Sequence, residues 1–408
     1  MIKTTLLAAL IVVSGLDSEH SRAKEASSER IEIQQKHRLP SPQRGRGVGG
    51  EGDRRDLIGC LPLGVPQASS AQRSLVAKII HSQPLSPVRE RKKAESSILP
   101  QAASRRREGF LPGDRVLLDA HNCYPENGQW GNRLERALKT RLPIAIEEDL
   151  AWYSDKVSGK SWSVVVHHLP PSGSEPTLQK YFFEQIRPMV ERALQDGNSK
   201  DWPLITLNLD FKSEEPEHLE FIWKLLGEYQ SWLCTAPRTG DAGRPGALEL
   251  RPVLVLTGSS DAQQKVFHDA VPIEGRLRLF GAAKLAINPK TPLDPLVPPA
   301  TNYRRWWNNP WSVVEEGGQR NAGDWTPVDA ARLQSLVRAA HAKGLWIRFY
   351  TLNGHAESDS LGWTQSYNFG SLERARLRWQ AAIEAGVDFI ATDQYEAFTE
   401  VRSKSSAH

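Results

Sequence analysis

LLDAHNCYPEN, residues 117–127, is the stretch on which the fold turns. It is a short apolar run that ends in side chains able to hold a cation or move a proton. Three later runs have the same form: IAIEEDL (144–150), WSVVVHHLP (162–170) and LITLNLDFK (204–212). The polar groups at their ends are His121 and Asn122, then Glu147 and Asp149, then His167, then Asp210 and Lys212. If successive strands of one parallel sheet carry them at the same end, all seven converge on a single pocket.

Working outward, β-prone runs are predicted at 115–120, 143–149, 162–167, 203–209, 252–256, 276–280, 310–315, 345–350 and 387–391. Helical periodicity lies between them at 130–142, 178–194, 216–233, 262–270, 327–343 and 372–385. Strands that alternate with helices point to an α/β fold with a parallel sheet. The number of strands over 111–402 fits a (β/α)8 TIM barrel, whose polar residues gather where strands hand over to loops. Neither a GxGxxG nor a P-loop pattern follows the first run, so nucleotide-fold fingerprints are missing.

The 408 residues carry a formal charge of only +4, but that average hides two regions. Basic residues outnumber acidic ones two to one over 20–110, a segment rich in Ser, Pro, Gly and Arg and poor in aromatics. Such a stretch cannot bury a core, and it is read as a long disordered basic N-terminal arm or linker. Its charge suits contact with an anionic membrane. Without aromatics among the cations, no nucleic-acid partner is expected. Ahead of it, Lys3 and the apolar run Leu6–Val13 give residues 1–19 the form of a secretory signal peptide. The run is too short for a helix of ~20 residues across a bilayer. A secreted or periplasmic location is therefore expected, and a cytoplasmic one otherwise. The three cysteines lack CxxC spacing, which leaves neither a disulfide framework nor a zinc site.

The chemistry follows from side-chain type. Glu147 and Asp149 are one residue apart, so on a strand they face the same way. Two carboxylates aimed at one point repel unless a cation lies between them, and oxygen ligands favour Mg2+ or Ca2+. Asp210 and the Asn122 amide would complete the ligand set. His121 and His167, with unperturbed pKa values of about 6.5, are the candidate proton carriers. Lys212 can neutralise a phosphate oxygen, or else pair with Glu214 or Glu215. TNYRRWWNNPW (301–311) adds Arg304, Arg305, Trp306 and Trp307 as candidate substrate contacts, guanidinium for phosphate and indole for a sugar or a choline-like cation.

In this order the motifs resemble the phospholipase C-like phosphodiesterase superfamily, which includes glycerophosphodiester phosphodiesterases, phosphatidylinositol-specific phospholipases C and sphingomyelinase D-like TIM barrels. His121-Asn122 followed by Tyr124 is similar to the His-Asn-x-Tyr of the phospholipases, where the asparagine binds Ca2+. Pro125-Glu126-Asn127 is similar to the glycerophosphodiesterases, and Glu147-x-Asp149 to the metal pair of the whole group. Asp210-x-Lys212 is nearest the sphingomyelinase D pattern. YTLN (350–353), which places Tyr350 and Asn353 at the substrate, and GVDFIATDQYEAF (386–398) resemble the last two strands. The chain departs from the glycerophosphodiesterase His-Arg-Gly, having His121-Asn122-Cys123.

The resemblance implies metal-dependent cleavage of a glycerophosphodiester or phospholipid, with His121 and His167 as base and acid. Three alternatives stand beside it. A barrel glycosidase would use Glu147 and Asp210 as its carboxylate pair and tryptophans as sugar platforms. A catalytically inactive barrel would only bind phosphorylated ligands, or the basic arm would be the working part.

Overall fold

The computed structural model describes residues 110–125, 131–166, 170–293, 296–359 and 365–405. The expected signal segment and basic arm, His167 and the Glu126-Asn127 pair lie outside the described residues.

The described residues form eleven strands: β1 (Leu117–Ala120), β2 (Ile144–Ser154), β3 (Ser161–Val165), β4 (Ile205–Phe211), β5 (Ala236–Pro237), β6 (Val253–Thr257), β7 (Arg276–Leu277), β8 (Phe280–Ala282), β9 (Arg304–Pro310), β10 (Trp346–Tyr350) and β11 (Phe389–Thr392). Eight of them are joined by parallel pairing in the order β1-β2-β4-β6-β8-β9-β10-β11, and β11 pairs back onto β1. The fold is a closed (β/α)8 barrel. Strands β5 and β7 form a separate two-stranded ribbon.

Sequence expectations shift at three places, one of them the run at 276–280, which splits between β7 of the ribbon and the barrel strand β8. The run at 162–167 is not a barrel strand: β3 is antiparallel to β2, with Leu150 opposite Val165. The link from Ser154 to Ser161 is too short for a parallel crossover, which needs a dozen or more residues, so the chain turns back as a hairpin. The strand expected at 310–315 is β9 at 304–310, and residues 311–313 wind into a single 3-10 turn. Pro310, with no N–H to give the ladder, sits at the changeover.

Helices cover the barrel: α1 (Arg133–Thr140), α2 (Glu184–Asp196), α3 (Pro216–Glu228), α4 (Asp261–Gln264), α5 (Pro327–Ala342), α6 (Leu372–Ala385) and α7 (Tyr395–Ser405). Local sequence sets their ends. Thr326 and Asp329 close a capping box at the start of α5, with Pro327 at its first turn. Ser371 caps α6, and Gly386, at φ +79°, ends it in the left-handed conformation that costs glycine nothing. Among the described residues no helix is long and apolar enough to cross a membrane.

Outward-facing Leu118, Ile146, Leu207, Ile347 and Ile390 pack beneath the helices in one core. Burial of each such side chain contributes about 1.5–3 kcal/mol. Inside the barrel the alternate residues grade from apolar to charged along each strand. Leu117, Ala145, Trp346 and Phe389 fill the floor, whereas His121, Asp149, Asp210 and Tyr350 line a cavity at the C-terminal mouth. The hydrophobic effect closes one end and leaves the other for chemistry.

The β3 hairpin is tied to α3 through His218, which is fully buried and stacked on Trp152. Its ring bonds Ser163 Oγ at 2.8 Å and the Ser213 carbonyl at 3.0 Å. Burial pushes its pKa down from 6.5 to about 4. The unfolded chain therefore binds more protons than the folded one between those values. Stability is fully present above pH 6.5 and is lost as the pH falls toward 4, by up to about 3 kcal/mol. Thermal melts from pH 7 to 4 should show a His218→Gln variant losing less stability on acidification than wild type. Equal losses would remove His218 as the cause.

Candidate active site

In-register parallel pairing builds the acidic cluster. Asp149 on β2 lies directly opposite Asp210 on β4, and Glu147 precedes Asp149 by two on the same inward face. Neighbouring strands are roughly 4.8 Å apart. The three carboxylates accordingly each offer an oxygen within 4.8 Å of one another. They lie in a cavity of about 300 Å³, shared with His121, Asn122, Lys212, Arg348 and Tyr367.

Burial works against the charged form of Asp149. It raises the Asp149 carboxyl well above its ordinary range, as does the Asp210 charge beside it, and Lys212 works in the opposite direction. The Lys212 ammonium sits 2.9 Å from Asp149 Oδ2 and 2.7 Å from Asp210 Oδ2. Burial lowers the Lys212 pKa, but the two carboxylates outweigh it and the net shift is upward. Neither Glu214 nor Glu215 is its partner; Glu214 bonds Ser260 and Gln263 instead.

Glu147 has a different counter-ion. Arg348, inward on β10 and only 2% exposed, donates from Nη2 to Glu147 Oε2 and from Nε to Asp119 Oδ2. Its Nη1 donates to Asn308 Oδ1 at 3.0 Å. The three-way contact places one guanidinium charge between two carboxylates at the cavity wall. Neither Arg348 nor Asp119 stands out among strand-end motifs, since both are mid-strand. The signal available was a charge at an inward position of an apolar run, as in LLDA and WIRFY.

His121 is oriented by a residue the motifs quoted without giving it a role. Asp393, just past β11, accepts from His121 Nδ1 at 3.0 Å. Nε2 then faces Glu147 Oε2, 3.8 Å away. Burial disfavours the imidazolium, but Glu147 and Asp393 outweigh it and hold the His121 pKa above its usual value. Burial likewise works against the Asp393 carboxylate, and His121, Arg133 and Asn353 hold its pKa below the ordinary value. Tyr367 closes the cavity with its ring edge-on to His121, centroids 5.8 Å apart.

Other expected site residues are placed as follows. Asn122 lines the cavity at φ +53°, a left-handed conformation that asparagine tolerates at a sharp strand exit. Its Oδ1 accepts from the Tyr124 hydroxyl and its Nδ2 donates to Asp393 at 3.2 Å. Tyr350 and Trp306 line the cavity. Asn353 does not: its Nδ2 donates to Asp393, and its Oδ1 accepts from the Asp393 N–H at 2.8 Å and from Thr392 Oγ1 at 2.9 Å. It supports the residue that supports His121.

Trp307 does not line the cavity either. Alternation along β9 turns it outward into the helix-covered core, while Trp306 faces in. Arg304 gives its guanidinium to the carbonyls of Ser259 and Ala282 at 3.0 and 2.6 Å. Arg305 gives its own to those of Asn302 and Gly246. Both are engaged with backbone, away from the cavity lining.

The donor set suits a hard divalent cation: three carboxylate oxygens and no thiolate, at a spacing one ion can bridge. No family model and no curated protein matches the chain. Solved structures similar to it include a glycerophosphoryl diester phosphodiesterase from Parabacteroides distasonis, 13% identical, covering 72% of this chain and 87% of that one with a TM-score of 0.35. A glycerophosphodiester phosphodiesterase from Agrobacterium tumefaciens is 14% identical over 71% and 99%, with a TM-score of 0.38. Plasmodium falciparum HPPK-DHPS is also similar, at 10% identity over 72% and 49% and a TM-score of 0.39. Likenesses this distant leave function to the site's own geometry.

Proposed function

We propose that this chain is a phosphodiesterase dependent on a divalent cation, acting on a glycerophosphodiester or phospholipid. One observation carries the reading: the cluster of Glu147, Asp149 and Asp210 shares a single cavity with an imidazole held by a carboxylate. The order of the strand-end motifs supports it. What Mg2+ or Ca2+ supplies when bound by those three residues is a positive charge against a non-bridging phosphoryl oxygen.

The protein's own groups do the rest. Asp393 holds His121 as the tautomer whose Nε2 faces the cavity, where it takes a proton from water or a substrate hydroxyl. His167 is assigned the return of a proton to the departing oxygen. It lies outside the described residues, one position past Val166, whose N–H bonds the Asp149 carbonyl at 2.9 Å. That bond returns the hairpin to the metal-ligand strand. Tyr350, Tyr367 and Trp306 offer aromatic walls for the alcohol portion. Export by residues 1–19 and contact of the basic arm with anionic membrane belong to the same reading and rest on sequence.

The test is turnover of glycerophosphodiesters, lysophospholipids and phosphoinositides after EDTA treatment, with Mg2+ or Ca2+ added back. Chelation should lower the rate roughly a hundredfold or more, the scale of losing a transition-state charge partner. Undiminished turnover in EDTA would rule out the metal assignment. A glycosidase would cleave glycosides in EDTA and leave every phosphodiester intact. Arg348 opposes that reading, because its guanidinium already occupies Glu147 Oε2, where a glycosidase acid would have to hold its proton.

A further inference from the structure

The acidic cluster already has two cations of its own, held very differently. Arg348 is buried and fixed by three partners at once: Asp119, Glu147 and Asn308. Lys212 follows the end of β4, its side chain 29% exposed, and among the described residues its ammonium pairs with Asp149 and Asp210 alone. Its four-carbon stem is flexible, and ammonium is a compact point charge that re-hydrates readily.

Those two carboxylates are two of the three groups able to bind one ion. The ammonium lies within hydrogen-bond distance of an oxygen on each, in the gap a divalent ion would fill. We infer that Lys212 is a tethered, exchangeable counter-ion, which occupies the cluster in the absence of a divalent ion and is expelled when one enters. This rests on the cluster being a cation site, as proposed above, and adds an internal competitor to it. Expulsion frees the ammonium within the cavity, where it meets the phosphate. One side chain thus alternates between ion surrogate and substrate contact, and entry of the ion switches it.

A lysine that stood clear of the carboxylates would leave ion affinity nearly untouched. A competitor must weaken it. The full chain, stripped with EDTA, is titrated calorimetrically with Mg2+ or Ca2+ alone and melted in EDTA and in excess ion. Lys212→Met keeps the apolar stem and removes the charge. It should bind the ion at least about tenfold more tightly than wild type, melt lower in EDTA, and gain more on ion addition. Lys212→Arg keeps the charge and grips both carboxylates with a fork. It should bind the ion more weakly than wild type, and it serves as the deciding variant if Lys212→Met fails to fold in EDTA.

Equal ion affinity among the folded proteins overturns the competitor role and leaves the phosphodiesterase reading standing. If neither ion binds wild type or a folded variant at millimolar concentration, the cation site itself is refuted, and this inference falls with it.

Discussion

Replacing His121 with alanine is expected to lower phosphodiester turnover by about 10²–10⁴-fold, the usual worth of a positioned proton carrier. Divalent-ion affinity should change little, because none of the three clustered carboxylates is removed. A calorimetric titration beside the kinetics separates the two effects. The support behind His121 gives a second readout. Asp393 favours the imidazolium, so Asp393→Asn should lower the His121 pKa. If His121 acts as base, the acid limb of the pH–rate profile then moves to lower pH. The rate itself falls, because the ring loses the carboxylate that fixes its tautomer and orientation. An unshifted limb would mean that this titration belongs to another group. His121→Ala turnover within a few-fold of wild type would remove His121 from the chemistry altogether.

The second large effect is on stability. Arg348→Met leaves Asp119 and Glu147 buried without their shared cation, and breaking one side of such a buried network costs about 3–5 kcal/mol. For a barrel of this size the melting temperature should fall by on the order of 10 °C. Arg348→Lys should restore little, because a point charge cannot reach Asp119, Glu147 and Asn308 in a planar fork. Adding Asp119→Leu to Arg348→Met removes one orphaned carboxylate and should recover part of the loss. A single variant that melts within a degree or two of wild type would show that the network does not hold the barrel together. Both experiments probe one device: His121 and Glu147 are each held by a charged residue more than two hundred positions away in sequence.

That device explains what was legible in the chain and what was not. Strand-end residues could be read because local pattern marks them. An apolar run stops, and His121, the Glu147-x-Asp149 pair or Asp210-x-Lys212 follows. The alternation of helix and strand patterns likewise pointed to the barrel. Arg348 and Asp119 were hidden because they are 229 positions apart and meet only when the sheet closes. Asp393 was quoted within a motif, but its hold on His121 joins the first strand to the last.

The face a strand presents was also hard to read. A parallel strand buried on both sides is apolar almost throughout, so its sequence carries weak alternation. Trp306 and Trp307 look equivalent in RRWWNNP, yet only Trp306 reaches the cavity. Sequence by itself determined which residue types stand at the strand ends and in what order. It did so because turns and apolar runs are local properties of a chain. Tertiary structure alone decided that Lys212 lies across Asp149 and Asp210, that Arg348 neutralises Glu147, and that the β3 hairpin stays outside the barrel. Those outcomes depend on register and closure, which set distances between residues that no local interaction brings together.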